Sequence, residues 1–319
     1  MGLCVDDFND DGRLDLFVAN DTVQNFVFCG RGDATFREGG RDAGVAFDVE
    51  GRARAAMGID SADVGNDGRR FVGIGNFSNE PVSLFKVRRA LEEAVVMEDQ
   101  ARTARIGHRT LLPLTFGLVF ADLDLDGWSD LVLCNGHIEP TISRIQEELH
   151  YAQTAQLFKN ARGERFHDVS LDAGAPFRKR IVGRGLAAGD LDGDGDLDLV
   201  FTSNGGRPMV LRADRTGPGR SLRLRLRQSK EHGNRDAIGA VARVTVGGTT
   251  QRRIVRTGGS YLSQSELTLT FGLGAAPAAD GVTVIWPDGT TEVLGALPAG
   301  SPVLWHNSSP ARKSVGAKR

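Results

Sequence analysis

Four times along the chain a run of polar, oxygen-bearing residues gives way abruptly to an apolar one. The segments are "VDDFNDDGRLDLFVAN", "DVGNDGRRFVGIGN", "DLDLDGWSDLVLCN" and "DLDGDGDLDLVFTSN". Each apolar half is short, rich in Val, Phe and Leu, and bounded by turn residues, which predicts a strand leaving each polar loop. A second apolar strand enters each loop. Two further landmarks keep the same order: "FVFCG", "SLFKV" and "QLFKN" align, as do "TFRE", "VMED" and "RFHD". Each unit therefore predicts four short strands. One stretch, "VRRALEEAVVMEDQARTAR", departs from this pattern and is helix-like in its charges. Beyond it, "SLRLRLRQ" alternates strictly, placing Leu222, Leu224 and Leu226 on one face of a strand and Arg223, Arg225 and Arg227 on the other.

Spacing turns these units into an architecture. The first Asp of each loop falls at 7, 63, 122 and 190, a period of roughly 55–70 residues. Four strands per repeat at that period predict blades of a β-propeller, which bury their faces only by stacking. The expected fold is all-β, with blades over residues 1–213, a small all-β domain over 221–305 and a disordered polar tail over 306–319. Gly, at 41 residues, is about twice as frequent as in an average protein, in keeping with many tight turns.

Charge gives the loops their chemistry. The formal net charge is only −2, but acid concentrates in the loops, while residues 212–256 hold twelve Arg or Lys against three acids. Clustered carboxylates repel one another and ask for a cation. Hard divalent ions favour such oxygen cages, and calcium best accepts irregular geometry. The EF-hand begins alike but needs a bidentate Glu at the twelfth position. Here that position holds Val18, Ile74, Leu133 or Phe201. The loops close instead at the ninth. The expected Ca2+ ligands are Asp7, Asn9, Asp11, the Arg13 carbonyl and Asp15 in the first loop. In the third they are Asp122, Asp124, Asp126, the Trp128 carbonyl and Asp130, and in the fourth Asp190, Asp192, Asp194, the Asp196 carbonyl and Asp198. The second loop keeps Asp63 and Asp67 but has Gly65 and Phe71 where oxygen donors are due, so it is expected to be empty or weak.

These loops resemble FG-GAP (VCBS-type) repeats, the calcium-binding blades also seen in integrin α-subunits. The segments "GNRDAIGAVARVTVGG", "TGGSYLSQSELTLTFGLG" and "VTVIWPDGTTEVL" resemble the ASPIC/UnbV domain. The pairing is similar to that of the bacterial relatives of cartilage acidic protein. The resemblance implies a propeller of about seven blades, hence about three more blades, and an export signal, upstream of the four units present. It also implies an extracellular, cell-surface or periplasmic setting, where calcium is plentiful.

Other chemistry is sparse. No apolar run is long enough to span a bilayer. Cys4, Cys29 and Cys134 have neither disulfide nor zinc spacing and read as small buried hydrophobes. No nucleophile elbow, zinc-helix or Walker motif is present. His137 opens an insertion running to about residue 156 and reads as a hydrogen-bonded structural histidine, with a ligand or catalytic role as the alternative. The Arg-rich strand, with Arg252, Arg253 and Arg256, is either a basic face for an anionic polymer or a face that is solvated or docked on the acidic blades. Few aromatics and a mildly acidic pI argue against nucleic acid. The sequence thus predicts an exported adhesion, scaffold or ligand-binding module for a protein or glycan. A carbohydrate-active lyase or hydrolase on a propeller scaffold is the alternative.

Overall fold

The computed structural model describes residues 2–214, 217, 219–229, 233–300 and 303–307. It is all-β. The first sheet joins β1 (Gly2–Asp6), β2 (Asp15–Ala19), β3 (Phe26–Gly30) and β4 (Phe36–Glu38) in sequence order. The second repeats this with β5 (Ala56–Ala62), β6 (Phe71–Asn76), β7 (Ser83–Leu91) and β8 (Ala94–Asp99). In the third, β9 (Thr115–Ala121) and β10 (Asp130–Asn135) are followed by β12 (Gln156–Asn160) and β13 (Phe166–Asp168). The insertion between β10 and β12 carries the short β11 (Gln153–Thr154), which pairs with β14 (Arg180–Ile181). The fourth sheet has three strands, β15 (Gly183–Gly189), β16 (Asp198–Ser203) and β17 (Met209–Leu211).

Strand alternation stacks the sheets. In β10, Leu131 and Leu133 pack toward the second sheet with Phe158, while Val132 and Cys134 pack toward the fourth with Leu186 and Phe201. In the same way Phe17 and Val27 of the first sheet meet Ile59, Ile74 and Phe85 of the second. The first strands of neighbouring sheets, β1 to β5 to β9 to β15, lie beside one another along an inner edge, as in blades around a common axis. The approach is close: a Cβ on Gly58 of β5 would stand 2.1 Å from the Phe116 carbonyl oxygen of β9.

The stretch read as helix-like is a β-hairpin, β7 to β8. Val95 and Met97 alternate into the core shared with the first sheet, whereas Arg88 and Glu98 pair outside it. Burial at every second residue decides the matter against local helix propensity.

The C-terminal part is a two-sheet sandwich. One sheet is β21 (Leu269–Gly274), β18 (Arg220–Gln228) and β24 (Val303–Asn307); the other is β20 (Thr249–Ile254), β19 (Val241–Val246), β22 (Ala278–Ile285) and β23 (Thr291–Pro298). Leu222, Leu224 and Leu226 enter its core with Phe271, Val284 and Trp286. His306 and Asn307, placed in the tail by the sequence, end β24 instead; the rest of that tail lies outside the described residues.

This sandwich is seated on the inner edge of the blades. Ser260 exchanges backbone hydrogen bonds with Ile59 (2.8 and 3.2 Å). Its hydroxyl accepts from the Leu118 amide (3.1 Å), and the Ser265 hydroxyl accepts from Ala188 (3.1 Å). One segment thereby ties the second, third and fourth sheets together.

Candidate metal centres

All four loops share one turn. The fourth and sixth positions have positive φ throughout: Asp10 (60°) and Gly12 (81°), Asn66 (48°) and Gly68 (80°), Leu125 (56°) and Gly127 (93°), Gly193 (82°) and Gly195 (94°). The sixth is always Gly, which takes that conformation without steric cost. The first Asp accepts from the sixth-position amide in every case: Asp7 from Gly12 (2.9 Å), Asp63 from Gly68 (3.0 Å), Asp122 from Gly127 (2.9 Å) and Asp190 from Gly195 (2.9 Å). The fifth-position Asp accepts from the amide two residues on, at Arg13, Arg69, Trp128 and Asp196.

The ninth-position Asp clasps loop to sheet. Asp15 accepts from Phe8 and Gly30, Asp130 from Leu123 and Asn160, and Asp198 from Leu191 and Ala213, one amide per oxygen. Each oxygen keeps a second lone pair. Phe71 has no such clasp to offer, so the second loop keeps the turn without the donor set.

In the third and fourth loops the acids converge. Ligand atoms of Asp122, Asp124 and Asp126 lie within 4.8 Å of one another, as do those of Asp190, Asp192 and Asp194. These two clusters can hold a metal ion. Asp7, Asp11 and Asp15 of the first loop are not among the converging clusters; there the Arg13 guanidinium (2.6 Å) and the Asn9 side-chain amide (2.8 Å) donate to Asp11. Among the described residues of the four loops, two side-chain oxygens are buried without a hydrogen-bond partner: Asp122 Oδ1 and Asn9 Oδ1. A buried unpaired oxygen is costly unless something electropositive meets it, so both suit a cation ligand.

The electrostatics agree. Burial, reinforced by Asp126 and Asp124, pushes Asp122 up to about 7 despite the opposing Arg253. Burial raises Asp130 well above the carboxylate range and Asp15 to about 6. Asp126 and Asp7 are raised by the same cause. A cation would relieve what these crowded carboxylates lack.

Basic side chains also reach the loops, which the sequence reading missed. Lys86 of β7 holds Asp67 (2.9 Å) and sits over the Phe71 ring (4.9 Å). Lys159, at the same place in β12, pairs with Asp124. The shared "LFK" of the two strands was the available signal. In the second loop, with two donors gone, the ammonium is a fixed internal counter-charge.

The arginines are spent inside the molecule. Arg252 meets Asp6 (2.8 Å), Arg256 meets Asp60, and Arg223 meets Asp190 (2.7 Å) and Glu266 (2.7 Å). Arg225 and Arg227 both pair with Asp236. Arg223, Arg252 and Arg256 are thus docked on acids of the blades, whereas Arg225 and Arg227 are neutralised within the terminal domain itself. Burial alone would raise Asp6, but Arg252, Arg70 and Arg256 bring it below the ordinary range. A cavity of about 130 Å3 at this junction is lined by these paired charges, including Asp6, Asp60, Arg252 and Glu266.

Cys4, Cys29 and Cys134 are free and buried, as expected. His137 is buried, accepts from the Glu139 amide through Nδ1 (3.0 Å) and packs edge-on to Phe77. No helix among the described residues is long and apolar enough to cross a membrane.

Comparison with known proteins agrees with this architecture. Residues 7–70 match the FG-GAP-like repeat family, 182–221 the FG-GAP repeat and 230–310 the ASPIC and UnbV family. The chain is 27% identical to human cartilage acidic protein 1 over 86% of its own length and 39% of the relative's. Against the Xenopus tropicalis protein it is 26% identical, covering 90% of this chain and 42% of that one. It thus spans about two fifths of the length of these relatives. Among solved structures, an Agrocybe aegerita lectin that recognises non-reducing terminal N-acetylglucosamine aligns at TM-score 0.38 and 15% identity, covering 92% of this chain and 79% of that one. An exo-β-1,3-galactanase from Phanerochaete chrysosporium aligns at 0.33 and 9%, with the same coverage. Scores this low bear on neither ligand nor activity. The matched segments and the all-β blades together show a chain that joins FG-GAP repeats to an ASPIC and UnbV domain.

Proposed function

We propose that the chain is a calcium-binding propeller module, exported from the cell, that presents a surface to a protein or glycan ligand. The observation that carries the metal reading is the convergence of Asp122, Asp124 and Asp126, with Asp122 Oδ1 buried and unpaired. In this reading Asp7, Asn9, Asp11 and Asp15 hold Ca2+ in the first loop, Asp122, Asp124, Asp126 and Asp130 in the third, and Asp190, Asp192, Asp194 and Asp198 in the fourth. The carbonyls of Arg13, Trp128 and Asp196 complete the three shells. Blades over 1–213 and the terminal domain over 221–305 form the two units. When bound, the ion supplies charge neutralisation that locks each loop; the chain's residues supply the cage. An extracellular or periplasmic setting follows from the need for plentiful calcium, and the relatives' name, cartilage acidic protein, is in keeping with it. Pairing of Asp6 and Asp60 with arginine supports a binding module over the alternative hydrolase or lyase, which would need free carboxylates on the axis.

Calorimetry of metal-free protein tests the sites. Asp11→Ala, Asp126→Ala and Asp194→Ala are each expected to remove one calcium-binding event, and Asp67→Ala none. Equal loss from Asp67→Ala would sink the assignment. A glycan and protein array with the calcium-loaded chain tests the ligand class, and turnover of an arrayed polysaccharide would replace the module with an enzyme.

A further inference from the structure

The third loop is not built by its own blade alone. Asp122 Oδ2 accepts two backbone amides: Gly127 of the loop (2.9 Å) and Gly272 of β21 in the terminal domain (3.1 Å). The Gly274 amide donates to the Leu125 carbonyl (2.9 Å), at the residue with strained φ of 56°. The Gln251 side-chain amide steadies the Gly272 carbonyl (2.6 Å), and Arg253 donates to Ser129 (3.0 Å). The fit leaves no slack. A Cβ on Gly272 would stand 2.2 Å from Asp122 Oδ2 and 2.5 Å from the Leu125 carbonyl carbon. With Oδ2 saturated, Oδ1 remains as the buried, unpaired oxygen of that carboxylate.

From this we infer that Gly272 of the terminal domain is a positioning residue for the third-loop metal site: by capping Asp122 Oδ2 it directs Oδ1 to the ion, so metal binding and domain docking strengthen one another. The inference rests on the proposed calcium reading of that loop. Reciprocity is thermodynamically required, since whatever docking adds to metal affinity, metal adds to docking. The first loop makes no contact of this kind to β21; its Asn9 and Arg13 side chains are held by the Leu91 and Glu92 carbonyls of the second sheet. The fourth loop meets the domain through side chains instead, Arg223 on Asp190 (2.7 Å) and the Ser221 hydroxyl on the Gly195 carbonyl (2.8 Å). Among the described residues, the backbone-amide cap on a first-position carboxylate therefore belongs to the third loop.

Hydrogen exchange on the full chain, with and without Ca2+, tests this, alongside calorimetry. Calcium is expected to protect the Gly272 and Gly274 amides about tenfold, in the usual range of such couplings. Protection is expected to vanish in Asp124→Asn/Asp126→Asn and persist in Asp11→Asn. Conversely, Gly272→Ala is expected to weaken one calcium event about tenfold, while Gly281→Ala, where a Cβ meets nothing within 4 Å, changes none. If Asp124→Asn/Asp126→Asn removes a calorimetric event but Gly272 exchange ignores calcium, the coupling is wrong and the metal site stands. If that variant removes no event, the third loop binds no calcium, and the metal reading of the loop falls with the inference. Should Gly272→Ala not fold, the exchange arm on the wild-type chain decides alone.

Discussion

At the scale of single residues, the behaviour of the chain turns on a few carboxylates. Burial leaves Asp122 at about 7 and Asp15 at about 6 when no cation is present, against about 3.9 for an unfolded Asp. Between these limits the folded metal-free chain holds protons that the unfolded chain has released. Stability without metal must therefore fall as pH rises from about 4 to about 7. The melting temperature in chelator is expected to be higher at about pH 5.5 than at about pH 7.5. Saturating calcium should flatten or invert that slope, because an ion favours the charged form. A chelated protein that loses stability on mild acidification contradicts this account. At neutral pH, chelation alone is expected to lower the melting temperature, and an unchanged value would leave calcium no structural role.

At the scale of elements, the inner strands depend on small residues more than on large ones. β5 and β9 approach so closely that Gly58 faces the Phe116 carbonyl oxygen at 2.1 Å and the Ser260 carbonyl carbon at 3.0 Å, measured from the position a Cβ would take. Gly58→Ala must push β9 or the Ser260 segment away. Overpacking of this kind costs about 1–3 kcal/mol, and denaturant unfolding is expected to show a loss in that range. Phe158→Ala probes the opposite failure. Phe158 is 0% exposed in the core between the second and third sheets, and a cavity of that size costs about 3–5 kcal/mol. A neutral result at either position would mean that the sheets do not stack as described.

At the scale of the whole molecule, the first sheet has one packed face and one open face. Leu3 pairs across from Val18 and Val5 from Leu16, with Phe28 and Phe26 next along the same face. Leu3 is 52% exposed and the others are half-buried, so this is a contiguous apolar surface. Surfaces of this kind drive association. The chain as given is expected to self-associate with rising concentration in sedimentation experiments, and Leu3→Lys with Val18→Lys is expected to suppress it. A double variant that associates as strongly as the parent would show that the face is not the cause.

What the sequence determined by itself was local and periodic. The loops were legible because a positive-φ turn demands Gly at Gly12, Gly127 and Gly195, and because oxygen donors on alternate residues have few other uses. The strands were legible because burial on both faces leaves short, wholly apolar runs such as Leu131–Cys134. The β7–β8 hairpin was legible at its ends, where "SLFKV" and "VMED" fall on the two strands, and misread between them because Arg88–Glu93 has helical propensity. Tertiary structure decided everything that rests on residues distant in sequence. It assigned the arginines to Asp6, Asp60 and Asp190, placed Lys86 on the defective second loop, and brought Gly272 across 150 positions to Asp122. Periodicity reports which face of an element is buried. It is silent on which partner does the burying, and the pairing of charges across the two units is set by that partner.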